Sequence, residues 1–87
     1  MYKGTELGIE ITKRFFEAID FLKDTKEIRG LQTFTRRYDI NKWNMLTLKK
    51  DPMNRILKPE YLSYLVRDYG ISADWLLTGR GKICEKP

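Results

Sequence analysis

The sequence predicts an all-α domain built from five short helices, and three observations carry that expectation. Apolar residues recur every three or four positions along most of the chain. Helix-ending residues punctuate the pattern at intervals too short for long helices: Asp51-Pro52, Gly70 and Gly79. No stretch alternates with period two for long enough to make a convincing strand. With 87 residues the chain has room for one compact domain and not for two.

Taken in order, residues 1–10 contain Gly4 and Gly8 and no clean apolar period, so they are expected to be an N-terminal arm. From Ile11 the stripe Ile11, Phe15, Ile19 and Leu22, with Ala18 beside it, predicts an amphipathic helix to about Lys23, capped near Glu10. Phe16 falls off this stripe and widens its buried face. After a polar connection, Asp24 to Glu27, a second helix is expected from Gly30 to Tyr38, with Leu31, Phe34 and Tyr38 on one face. Asp39-Ile40-Asn41 breaks the period. Asn41 is a good N-cap for a third helix, Lys42 to about Lys49, that buries Met45 and Leu48. Residues 53–58 read as a loop. Pro59 suits the first turn of a fourth helix carrying Tyr61, Leu62, Leu65 and Val66 and ending at Gly70. Ser72 caps a fifth, Ala73 to Thr78, closed by Gly79. The domain proper is thus 11–81, and 82–87 form a tail.

Composition narrows the function classes. The single cysteine, Cys84, cannot form an internal disulfide, and without histidine a zinc site is essentially excluded. No metal or other cofactor is expected. There is no Gly-rich phosphate loop, and no serine or cysteine has a plausible base beside it, so catalysis is not expected. Asp20 and Asp24 stand one helical turn apart, which helix-surface charge explains. The first twenty residues hold no signal-like apolar stretch, and charges interrupt every hydrophobic run short of a membrane span. A cytoplasmic protein without membrane or small-molecule partners is the expectation.

The net charge of +5 is concentrated. Arg29, Arg36, Arg37, Lys42, Lys49 and Lys50 face only Asp39 within residues 29–50, and the remaining eleven basic and eleven acidic residues cancel. Such a window is either a solvated basic face or the footprint of a nucleic-acid contact.

The second and third predicted helices are joined by about three residues, a turn that sets two helices roughly 90–120° apart. One can then enter a major groove while the other crosses the phosphate backbone. With Phe34, Tyr38, Ile40, Met45 and Leu48 pointing inward, the third helix turns outward Asn41, Lys42, Trp43, Asn44, Leu46, Thr47 and Lys50. Asn pairs bidentately with adenine, Lys reaches guanine acceptors or phosphate, and Thr or Leu touches a thymine methyl. For Trp43 two placements stay open: exposed, as a groove or partner contact, or folded back onto Tyr38 or the first helix. Trp75 and the tyrosines of the fourth helix belong to the core, and Cys84 is incidental.

From Arg14 to Gly81 the chain resembles the lambda-repressor-like helix-turn-helix superfamily, specifically the DNA-binding domain of phage-type repressors. The most specific part is Tyr69-Gly70-Ile71-Ser72-Ala73-Asp74-Trp75-Leu76-Leu77-Thr78-Gly79-Arg80-Gly81, similar to the family's Gly-hydrophobic-Ser-x-Glu-Trp-Leu-Leu-Thr-Gly-x-Gly closing segment. Two positions depart from the family pattern. Thr35 stands where Ala is usual at the close approach of the two helices. Asp39 stands where Gly is usual in the turn, and Asp is among the residues that tolerate a left-handed backbone.

The resemblance implies base contacts from Asn41, Lys42, Trp43, Asn44 and Thr47. It implies backbone contacts from Gln32, Thr33, Arg36, Arg37, Lys49, Lys50, Asn54 and Arg55. It further implies a transcriptional regulator, most simply a repressor, bound to double-stranded DNA as a homodimer on a palindromic operator, with half-sites about 34 Å apart or a multiple of that. The alternative is a protein-interaction adaptor or antitoxin-like regulator using the same fold.

Overall fold

The computed structural model describes residues 6–84. It consists of α1 (Glu6–Asp24), α2 (Leu31–Arg37), α3 (Lys42–Lys50), α4 (Pro59–Tyr69) and α5 (Ala73–Thr78). Among the described residues there is no strand, only an isolated antiparallel bridge between Ile71 and Cys84. Among the same residues no helix is long and apolar enough to cross a membrane.

Helix α1 starts earlier than the periodicity predicts. Residues 6–10, expected to belong to the arm, form its first turns, and residues 1–5 of that arm lie outside the described residues. Gly8 weighs too heavily in a sequence reading: mid-helix glycine costs only about 1 kcal/mol relative to alanine. Glu6 in the first turn complements the helix dipole, and the Thr12 hydroxyl donates to the Gly8 carbonyl at 2.9 Å. Phe16 is buried edge-on against Phe15 and does widen the buried face. After Asp24 the chain turns through Lys26 at φ 67°, and Ile28, unremarked in the sequence, drops into the core.

Each helix contributes at least one side chain with essentially no exposure: Phe15 and Leu22 from α1, Phe34 from α2, Met45 from α3, Leu65 from α4, Leu76 from α5. Ile71 joins them from the α4–α5 link. Phe34 is the hub. Its ring meets Phe15 edge-on at 5.7 Å and Tyr38 at 5.0 Å, while Tyr38 stacks flat on Tyr64 with centroids 3.9 Å apart. These contacts lock α2 between α1 and α4.

The remaining boundaries follow local chemistry. Pro59 occupies the first turn of α4, where its missing N–H costs nothing. Gly70 ends α4 at φ 72° and Gly79 ends α5 at φ 80°, left-handed positions that favour glycine. The Ser72 hydroxyl accepts the Trp75 N–H at 3.1 Å. Arg14 closes the fold: its Nε donates to the Leu76 carbonyl at 2.8 Å and its Nη2 to the Leu77 carbonyl at 3.1 Å. Two of the carbonyls left open at the end of α5 are thereby satisfied from α1. Residues 82–84 of the expected tail run back along the body, with the Ser72 N–H on the Ile83 carbonyl at 2.9 Å and Ile83 packed on the core.

A candidate nucleic-acid interface on α3

The site is built around the turn between α2 and α3. Asp39 adopts φ 54°, in the left-handed region. The Asp39 N–H reaches the Arg36 carbonyl at 3.4 Å and the Ile40 N–H the Thr35 carbonyl at 2.8 Å. This is the paired-bond pattern that terminates a helix around one left-handed residue, here an aspartate in place of the usual glycine. Thr35 is buried, its hydroxyl donating to the Gln32 carbonyl at 3.1 Å, so its polar atom is satisfied inside the turn. Ile40 tucks half-buried against the core.

Helix α3 starts on Asn41, whose Oδ1 accepts the Asn44 N–H at 3.1 Å. Met45 and Leu48 anchor it. Everything else on α3 faces out or to the side: Lys42, Trp43, Asn44, Lys49 and Lys50 are exposed, Leu46 and Thr47 half-exposed. Trp43, for which two placements were open, is 76% exposed and does not fold back on Tyr38 or α1. The helix carries no acidic residue; Asp39 and Asp51 stand just beyond its ends.

Several hollows border this helix. Gln32, Thr35, Arg36, Asp39, Ile40 and Lys42 line one between α2 and the start of α3. Asn44, Met45, Leu48, Arg55, Ile56, Lys58 and Tyr61 line another toward the α3–α4 loop. Trp43, Leu46, Thr47, Lys49 and Lys50 surround a third on the outer face. The structure therefore gathers Gln32, Arg36, Asn41, Lys42, Trp43, Asn44, Thr47, Lys50 and Arg55 on and around α3. Lys58 joins them and was missed by the sequence reading. It lies outside the basic window, and only the fold brings it beside α3.

Several of the expected contact residues also have partners within the protein. Arg37 lies over the rings of Tyr38 and Tyr69, at 5.3 and 5.2 Å from their centroids, and 3.9 Å from Asp68. It braces α2 against α4. Its position three residues after Phe34 puts it on the packed side of α2, which the basic count alone does not reveal. The Lys49 ammonium sits 6.0 Å from the Phe16 ring, leaning toward α1. Thr33 accepts the Arg29 N–H at 3.2 Å, and the Asn54 amide donates to both Asp51 oxygens at 3.2 and 3.0 Å. Thr47 donates its hydroxyl to the Trp43 carbonyl at 2.8 Å.

Among the asparagines the division is clear. Asn41 has its oxygen engaged as a cap and retains only its amide hydrogens as donors, which removes the two-bond pairing with adenine. Asn44 has a side chain with no partner among the described residues, so both its donor and acceptor remain for a ligand.

Behind the site, the Tyr38 hydroxyl donates to Asp68 at 2.6 Å, and Arg67 holds the same carboxylate at 3.1 and 3.2 Å. The Arg67 and Tyr38 hydrogen bonds hold the Asp68 carboxyl down at about 2, while burial and the Asp68 bond push the Tyr38 phenol above its ordinary range. No protein-family model, no curated protein and no solved structure matches the chain.

Proposed function

We propose that this chain is a sequence-specific, double-stranded-DNA-binding regulator of the lambda-repressor-like helix-turn-helix kind, with α3 as the helix that enters the major groove. The observation that carries the reading is the outer side of α3. It is free of acid and exposes Asn44 with an unpartnered carboxamide, and Gln32, Arg36, Lys42, Arg55 and Lys58 border the hollows on its two flanks. Cations at such positions neutralise phosphates and fix register, while side chains on the helix read base edges.

The left-handed Asp39 in the short turn, the buried Thr35 and the capped closing helix α5 support the family resemblance. In this reading the protein is a cytoplasmic repressor that binds without catalysing a reaction, as a homodimer on a palindromic operator.

The test is a fluorescence-anisotropy titration against a randomised duplex pool at about 50 and 200 mM salt, with the bound DNA sequenced. If Arg36, Lys42, Lys50, Arg55 and Lys58 each neutralise one phosphate, the log–log slope is about −4.5, and fourfold more salt weakens binding about 500-fold. Folded protein that binds no duplex at the lower salt overturns the proposal. The exposed Trp43 favours one second reading, an adaptor that holds a protein partner; its binding would change little with salt.

A further inference from the structure

An apolar slot lies beside one of the hollows that border α3. It holds about 210 Å³ and is walled by Ile11 of α1, by Pro52, Ile56 and Leu57 of the α3–α4 link, and by Pro59 and Leu62 of α4. The Thr12 hydroxyl reaches the same wall, but its hydrogen is spent on the Gly8 carbonyl at 2.9 Å. Ile56 is 65% exposed, so much of this hydrocarbon meets water.

Arg55 and Ile56 also line the neighbouring hollow of about 270 Å³, where Lys58, Asn44 and Tyr61 supply the other polar side chains. No carboxylate lines either hollow, and neither Arg55 nor Lys58 has an ion-pair partner among the described residues. Taken together the two hollows fall within the roughly 300–1,000 Å³ of small-molecule sites. A DNA phosphate accounts for the two cations and leaves the slot unexplained, because it brings no hydrocarbon to fill it. A hydrocarbon tail joined to an anionic head accounts for both. The tail removes apolar area from water, and the planar fork of Arg55 takes a carboxylate through two parallel bonds.

We propose that the two hollows form one binding site for a small amphipathic carboxylate, its tail in the slot and its head between Arg55 and Lys58. The regulatory consequence rests on the DNA-binding reading. Arg55 and Lys58 cannot hold this ligand and a duplex at once, so the ligand releases DNA.

Octanoate is the probe, titrated into the full chain and followed by NMR shifts. Shifts are expected at Ile11, Arg55, Ile56, Leu57 and Leu62, with a Kd of about 1 mM for a ligand of about ten non-hydrogen atoms. Hexanoate binds about five- to fifteenfold more weakly, since each buried methylene is worth up to about fourfold. Octanol, which lacks the charge, binds about tenfold more weakly. Arg55→Gln and Ile56→Ser, both at exposed positions, keep the helical circular dichroism and lose about tenfold and fivefold in octanoate affinity. Leu77→Ser, an exposed apolar residue on α5, loses none. Octanoate at ten times its Kd weakens duplex binding about tenfold relative to the same concentration of acetate.

Shifts scattered over the surface, no gain with tail length, or octanol binding as tightly as octanoate overturns the site. Octanoate bound at these residues with no loss of duplex affinity overturns the release of DNA. Octanoate bound here by a chain that binds no duplex removes the DNA reading and leaves the site standing.

Discussion

Arg14 joins residues more than sixty positions apart, and its removal is a sharp test of how the domain is closed. The guanidinium reaches from α1 to the Leu76 and Leu77 carbonyls at 2.8 and 3.1 Å, and its side chain is only 15% exposed. A hydrogen bond from a charged donor contributes about 1.5–3 kcal/mol when buried. The Leu77 bond is exposed and counts for less, because water replaces it. A cation at a helix C-terminus adds about 0.3–1 kcal/mol. The Glu10 ion pair at 3.9 Å is exposed on the glutamate side and adds little. Arg14→Ala is therefore expected to cost about 2 kcal/mol, which in a domain of this size lowers Tm by roughly 8–16 °C. Thermal unfolding followed by circular dichroism at several protein concentrations measures it. Arg14→Lys keeps the charge but presents a single nitrogen, and is expected to recover about half of the loss. A midpoint for Arg14→Ala within 2 °C of the parent would refute the closing role.

Three further outcomes follow from the turn, the reading face and the brace behind it. Asp39→Gly relieves a left-handed φ of 54° and is expected to raise stability by up to about 1 kcal/mol in urea unfolding, whereas Asp39→Val lowers it by more than that. Arg36→Ala is expected to weaken binding to all duplexes alike and reduce the salt slope by about 0.9, while Asn44→Ala relaxes preference at one base position; equal, sequence-independent losses from both would remove Asn44 as a reader. Asp68 has a folded value of about 2 against an ordinary 3.8, so its stabilisation is complete above about pH 4 and lost as pH falls toward 2. Tyr38 is raised from an ordinary 10.0, so its contribution is complete below pH 10 and lost as pH rises beyond it. Tyr38→Phe is expected to abolish the alkaline loss and shrink the acid loss, because Asp68 loses one of the hydrogen bonds that hold its carboxyl down; superimposable pH–stability curves would show the Tyr38–Asp68 bond to be idle.

Local signals carried most of the fold into view from the sequence. Asn41, Ser72, Pro59, Gly70 and Gly79 each act through hydrogen bonds or torsions within five residues of themselves, and each stands where its chemistry predicts. The start of α1 was not legible, because Gly8 looks like a breaker and the helix accommodates it. Long-range commitments were also hidden. The sites of Arg37 and Lys49 depend on Tyr69, Asp68 and Phe16, residues brought close only by tertiary packing. Charge counting treats every cation in residues 29–50 as equivalent, whereas the fold diverts Arg37 to the rings of Tyr38 and Tyr69 and brings the Lys49 ammonium near Phe16. It also brings in Lys58 from outside the window.

On one short helix the groups that hold the fold are distinct from most of the exposed side chains. Nine residues are too few to hold a helix in water by propensity alone. Helix α3 is held instead by the Asn41 cap, by the turn around Asp39, and by Met45 and Leu48 sunk in the core. Met45 and Leu48 are buried, while Asn41 and Asp39 stand exposed just ahead of the helix. Trp43, Asn44, Leu46 and Lys50 have no place among those anchors, and surface substitutions away from such features usually change stability by no more than about 0.5 kcal/mol. The outer residues can therefore be exchanged while the helix stays in place. The same logic explains the exposed tryptophan. Its indole adds nothing to the core.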